Sequence, residues 1–333
     1  MNVATGILLL MLSNQGHWFG GTPGTVTVRY AAASEMPPAT LTWVLSIGDA
    51  EVSRGRKAMP ANGEPMRLEL TPPRVRVPTE MSWHWRLLRD DTSKQAGAGR
   101  AAVIVYPDNL LERAVRRTAD RRLFVCDRTG KLTSLLRERR IRAVASERPH
   151  QVRAPAGSVI LVGAGTLTGS TFEQGPLLAH ARSGSSVMIF AQSAPRVAGY
   201  ALAPHDTLSG LTWRRDHPLL EGMEDRALTG WFDAADLRIV RLPADEPALE
   251  IAWFAPTVKA DRPVPIDALL VTRAIGKGRL VLCQVPLGSW LEDPRAQMLL
   301  DNAITYLGTR PEPTPRPSRR AAEFESKAAR PSG

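Results

Sequence analysis

Between Thr25 and Pro107 apolar residues recur at every second position. Val26, Val28 and Tyr30 share one face of "TVTVRY"; Leu41, Trp43, Leu45 and Ile47 share one of "TLTWVLSI". Met66, Leu68 and Leu70 do the same in "MRLEL", and Trp83, Trp85 and Leu87 in "MSWHWRLL". Period two is the signature of half-buried strands. The intervening Pro37-Pro38, Asn62-Gly63 and Pro72-Pro73 are turn chemistry with no helical stretch. Residues 25–107 are therefore expected to form an immunoglobulin-like antiparallel β-sandwich, preceded by a segment, 1–24, with no assigned structure.

After Pro107 the period changes. "NLLERAVRRTADRR" reads as a helix, "RLFVCD" as a strand, "KLTSLLRERR" as a helix and "IRAVAS" as a strand. "SVILVGAG", "FEQGPLLAHARSG" and "SVMIFAQ" repeat the scheme as strand, helix and strand, with Gly184 as a helix cap. Strands alternating with helices call for a parallel sheet covered on both faces, so 108–308 is expected to be a doubly wound flavodoxin-like α/β domain. Near its end "DALLVTRAIGKGRLVLCQVPL" predicts an antiparallel hairpin, and "DPRAQMLLDNAITYL" an amphipathic helix turning Met298, Leu299, Ile304 and Leu307 inward. The tail 309–333, rich in Pro, Ser and charge, is expected to be disordered.

Charge changes this picture little. The chain has 333 residues and a net charge of +10, with 37 arginines against six lysines. The basic cluster in 113–142 lacks interleaved aromatics, which reads as solvated helix faces and gives no strong nucleic-acid signal. Cys126 and Cys283 lie inside apolar runs, as small buried hydrophobes and not as a disulfide or metal framework. The opening "MNVATGILLLMLSNQG" is too short and too poorly flanked for a membrane span or a convincing signal peptide. The sequence fits a cytoplasmic or a periplasmic or secreted location. "VGAGTLTGS" lacks the spacing of a dinucleotide-binding loop, so no cofactor is expected, nor any metal.

The stretches Leu177 to Gln192, "HPLLEGM" (His217 to Met223) and Ile275 to Leu307 resemble the class I glutamine amidotransferase-like, flavodoxin-type domain found near the C-terminus of β-galactosidase-related, sugar-binding glycoside hydrolases. A β-sandwich directly before that domain adds to the likeness. The resemblance implies a nucleophilic cysteine after the strand "VMIFA", with a histidine and a glutamate to activate it. Here Gln192 stands in that place, and a carboxamide neither attacks a carbonyl nor yields to a base. Ser193, with His205 or His217 as its base, is a weak catalytic candidate, since a serine after a strand is ordinarily a turn residue.

His217 beside Asp216 could serve as a general base, and Glu221 with Asp225 as a carboxylate pair, but both sit in what reads as one turn. Trp231, Trp253 and Trp290 lie in or near loops, where an aromatic face flanked by an acid such as Asp216 could grip a sugar. The expected function is a noncatalytic accessory region related to glycoside hydrolases, with carbohydrate or a hydrolase catalytic domain as partner. Two alternatives remain beside it: a divergent hydrolase or amidotransferase with an unrecognised site, and a basic interaction module.

Overall fold

The computed structural model describes residues 7–31, 38–60, 64–118, 122–228, 231–232, 237–244, 246, 248–254, 265–287, 290 and 292–309. The expected disordered tail, 309–333, lies outside them except for its first residue. Contacts divide the chain into two compact units, one of 1–110, 224–231 and 289–298 and one of 111–223, 232–288 and 299–333. The division cuts across the expected boundary at 107, because two later segments join the first unit.

The first unit holds β1 (Ile7–Leu12), β2 (His17–Phe19), β3 (Gly24–Ala31), β4 (Ala39–Ile47), β5 (Ala50–Ala58), β6 (Met66–Leu70), β7 (Thr79–Arg89) and β8 (Gln95–Tyr106). They make a three-stranded sheet, β1-β3-β6, and a five-stranded sheet, β2-β8-β7-β4-β5. The alternating positions do what their period dictates: Val26, Val28, Met66, Leu68 and Leu70 from one sheet share a core with Leu41, Leu45, Met81, Trp83, Leu87, Val103 and Val105 from the other. Two points depart from the expected antiparallel sandwich. Strands begin before Thr25, and β2 pairs with β8 in parallel.

The second unit contains α1 (Glu112–Thr118), β9 (Leu123–Cys126), α2 (Lys131–Glu138), β10 (Val144–Ser146), β11 (Val159–Val162), α3 (Thr171–Arg182) and β12 (Ser186–Ile189). There follow β13 (Arg196–Val197), β14 (Tyr200–Pro204), β15 (Leu211–Trp213), β16 (Arg238–Leu242), β17 (Leu249–Phe254), β18 (Ile266–Ile275) and β19 (Gly278–Cys283). All eleven of these strands join one sheet. Five, in the order β10-β9-β11-β12-β19, run parallel; β10, at the edge, is open to solvent, while β9, β11, β12 and β19 are buried without alternation, closed to solvent on both faces. Of the remaining helices, α4 (Asp225–Leu228) belongs to the first unit, and α5 (Pro294–Gly308) follows β19 in the chain.

The expected doubly wound flavodoxin-like α/β domain is not what the chain builds. Between Ala191 and Ile275 it does not return through crossover helices; it lays down β13 to β18 as antiparallel strands, so that about half of the sheet is antiparallel. Antiparallel neighbours need only short turns, whereas each parallel return needs a crossover of a dozen residues or more. The chain as a whole is β-rich, with nineteen strands and five α-helices among the described residues. The hairpin β18–β19 forms as its Gly-Lys-Gly turn predicts. Gly278 lies so close to the end of α3 that a Cβ there would come within 2.1 Å of the Ser185 carbonyl and 2.3 Å of that of Ala181.

Candidate functional site

Open sheets place their chemistry beyond the carboxyl ends of parallel strands, here the turns after β9, β11, β12 and β19. Four buried polar side chains occupy this edge. Asp127, one residue past β9, accepts hydrogen bonds at Oδ1 from the Thr129 amide (3.1 Å) and hydroxyl (2.8 Å), and at Oδ2 from the Thr133 amide (3.0 Å). The carboxylate thereby fixes the turn into α2 and meets the helix amides that lack partners of their own.

Gln192, three residues past β12 and 3% exposed, is used more fully still. Its Oε1 accepts from the Leu167 amide at 2.8 Å, and its Nε2 donates to the carbonyls of Gly163, at 2.9 Å, and Phe190. Its backbone amide donates to Oε1 of Gln284, just after β19, at 3.1 Å. Gln174 in α3 repeats the device: Nε2 donates to the Arg196 carbonyl (3.1 Å) and Oε1 accepts from the Ala198 amide (2.6 Å). The glutamines thus knit the loops after β11, β12 and β19 and the β13–β14 turn into one hydrogen-bonded layer. Sequence reasoning singled out Gln192 and missed Asp127, Gln174 and Gln284. For Asp127 and Gln284 the signal was a polar residue directly ending an apolar run, "FVCD" and "LVLCQ".

Neither cysteine beside the layer is poised to react. The thiols of Cys126 and Cys283 are buried within their strands, and burial pushes both up to about 12, far above the range of a reactive thiolate. Ser193 is exposed beside Gln192. Its proposed partner His217 is buried and caps the 3-10 turn Pro218–Leu220, its Nδ1 accepting from the Leu219 amide at 3.2 Å. The ring packs edge-on against Tyr306, centroids 4.9 Å apart. Burial first, then the positive charges of Arg279 and Arg214, hold its pKa down at about 4, so it is neutral near pH 7. The other candidate base, His205, lies against Phe254 with centroids 4.0 Å apart.

The carboxylates are likewise engaged in structure. Glu221 takes Arg113 at 3.3 Å, and Arg113 also reaches Asp301 at 2.7 Å and Asn302 at 2.7 Å. Asp225 opens the short α4, and Asp216 is exposed beside His217. The tryptophans do not form the expected sugar platform. Trp231 and Trp290 are 6% and 4% exposed, and a ring must present an open face to stack on a sugar. Trp231 donates from Nε1 to Asp293 at 3.0 Å, and Asp293 is gripped by Arg295 at 2.9 and 3.0 Å. Trp253, half-buried on β17, lies under Arg214 at 5.9 Å. Among the described residues no group of three or more His, Cys, Asp or Glu is placed to hold a metal ion.

No protein-family model matches the chain, and no curated protein matches it in sequence. Solved structures give partial likenesses. The CARDB domain of the PF1109 protein from Pyrococcus furiosus, solved with two metal ions, covers 32% of this chain over its whole length, at 10% identity and a TM-score of 0.24. A calcium-binding mutant of Bacteroides uniformis beta-glucuronidase 2 covers 55% of the chain at 8% identity, with a TM-score of 0.22. A family 76 glycoside hydrolase from a bovine Bacteroides thetaiotaomicron strain covers 33% at 5% identity, with a TM-score of 0.23. The chain spans only 28% and 23% of these two hydrolases, and none of the three is an amidotransferase. Glycoside hydrolase chains are thus among the weak structural neighbours, at a level of similarity that transfers neither fold nor activity.

Proposed function

We propose that this chain is a noncatalytic accessory module of a glycoside-hydrolase-related protein, acting by domain packing or carbohydrate contact. The observation that supports this reading is the state of Gln192. The motif that the sequence resembles would carry a nucleophile at this position; here the carboxamide is buried and taken up by three backbone partners. The tie to hydrolase-associated proteins comes from the sequence motifs around Leu177–Gln192, His217–Met223 and Ile275–Leu307. An edge where Asp127, Gln174 and Gln192 spend their side chains on backbone groups has the makings of a rigid scaffold.

The test is chemical. The chain is treated with a serine-directed fluorophosphonate and a glutamine-analogue electrophile, and assayed on a panel of aryl glycosides. Neither a covalent adduct nor turnover is expected. An adduct or turnover abolished by Ser193→Ala would overturn the noncatalytic reading.

A further inference from the structure

The outer face of the five-stranded sheet carries an open groove of about 1100 Å³. Cross-strand register sets its lining. One row runs Arg56–Thr42–Arg86–Ala98 across β5, β4, β7 and β8, and the next runs Arg54–Val44–His84–Arg100. Directly opposed residues share a face, so the four arginines stand in two banks, Arg54 and Arg56 on β5 against Arg86 and Arg100 on β7 and β8. Between them β4 contributes a floor of Thr42 and Val44. Successive strands lie about 4.8 Å apart, which puts β5 and β7 about 10 Å from one another, a trough one polymer chain wide.

Charge in the groove is unevenly matched. Its carboxylates, Asp49 and Glu51, lie at the β4–β5 turn, where Glu51 meets Arg54 at 3.3 Å. Arg100 donates to the Ser82 hydroxyl at 2.7 Å. Among the described residues Arg56 and Arg86, facing one another across Thr42, are in no ion pair, and both are exposed. The tryptophans of these strands point the other way: Trp85 belongs to the sandwich core and Trp43 packs against it, each ring lying over the glycine opposite, Gly99 and Gly55. Trp43 and Trp85 thus line the groove where their strands cross it, with their rings laid on the core side, and among the described residues no Tyr or Phe joins them.

We infer that this groove binds an acidic polysaccharide, whose carboxylate or sulfate groups dock on the two arginine banks. Planar guanidinium forks match such groups two hydrogen bonds at a time, and the half-exposed Thr42, whose hydroxyl donates to the Arg86 carbonyl at 3.3 Å, keeps its oxygen as an acceptor for a sugar hydroxyl between the banks. The absence of an aromatic platform disfavours single-stranded nucleic acid, which takes much of its affinity from stacking. An acidic peptide lying in the groove would find β4 and β7 hydrogen-bonded on both sides, and the sheet edge open to strand addition, β5, lies along one bank and not on the floor. This inference rests on the carbohydrate-contact part of the proposed function, whereas turnover alone decides whether the chain is noncatalytic, so the two fail separately.

The full chain is titrated calorimetrically with polygalacturonate and with heparin, using dextran as the neutral control and an oligodeoxythymidylate and polyglutamate as competing polyanions. Saturable binding to a charged polysaccharide is expected, weakening steeply with salt, with dextran inert. The double variant Arg56→Ala/Arg86→Ala should bind about tenfold or more weakly, roughly the loss of 1.4 kcal/mol or above, while Arg137→Ala/Arg140→Ala on and after α2 leaves binding unchanged. Thr42→Glu, which sets a carboxylate on the floor, is a second variant, and a thermal melt of each confirms that it is folded. Absence of binding, equal losses in the two double variants, or tighter binding of the oligonucleotide or polyglutamate would overturn the proposal.

Discussion

The carboxamide of residue 192 is buried with three backbone partners, and removing it strands the Leu167 amide and takes a donor from the carbonyls of Phe190 and of Gly163, which keeps the Thr166 amide. Gln192→Ala should therefore destabilise the chain by about 3 kcal/mol, the order expected when buried polar groups lose their partner. Urea unfolding measures it, and a loss under about 1 kcal/mol would mean that water replaces the amide. At position 217 the argument concerns protons. The imidazole titrates near 6.5 when unfolded and at about 4 when folded, so between those values the unfolded chain holds more protons and stability falls as pH is lowered. Above 6.5 both states are neutral and the contribution is complete; toward pH 4 as much as about 3 kcal/mol of it is lost. Unfolding followed from pH 7.5 to 4.5 should show the decline. His217→Asn, which keeps a cap acceptor and removes the proton, should flatten it.

At the level of elements, the β18–β19 turn and the end of α3 are packed backbone against backbone at Gly278. Gly278→Ala would force a Cβ against two carbonyls and should cost about 2 to 3 kcal/mol, read as a lower melting temperature with β–α packing lost in the near-ultraviolet circular dichroism spectrum. The turn was written in the sequence as Gly-Lys-Gly, β3, β4, β6 and β7 as alternation, β9, β11 and β12 as short unbroken apolar runs, and α5 as a helical period. Other elements left no such trace. β5, "AEVSRGRKA", is an edge strand with polar residues on its groove side and a glycine beneath Trp43 on the other, so nothing alternates. β8 begins "QAGAG" because Trp85 lies where side chains would be, and its own apolar residues start only near Ala101. From β13 to β17 the strands are two to six residues long and partly open to solvent, too short for a period to show. The antiparallel half of the sheet was illegible for that reason, and the α/β expectation extended the pattern of β9 to β12 past the point where it stops.

Across the whole molecule, sequence order and compact unit do not coincide, and the arginine groove was hidden by the same kind of distance. Arg54 and Arg100 face one groove although 46 positions separate them, while the basic run in 113–142, conspicuous in the sequence, goes to helix surfaces and to the Arg113–Asp301 pair. The first unit closes only when 224–231 and 289–298 join the sandwich. Those segments bring Trp231, Asp293 and Arg295; Arg295 is 2% exposed and reaches Gln15 at 3.1 Å as well as Asp293. A guanidinium so deeply buried is stable there only with its carboxylate, and the pair arrives together on one segment. A fragment ending at residue 110 keeps every strand of both sandwich sheets and loses this plug. It should melt at least about 10 °C below the corresponding transition of the full chain and expose apolar surface to a hydrophobic dye, since a loss of a few kcal/mol moves a domain of that size by several degrees per kcal/mol. Adding the 224–231 and 289–298 segments back as peptides should recover little, because ordering two free peptides costs more than their few contacts return. A fragment as stable as the intact chain would show instead that the two β-sheets alone make the unit, and that the later segments merely cover it.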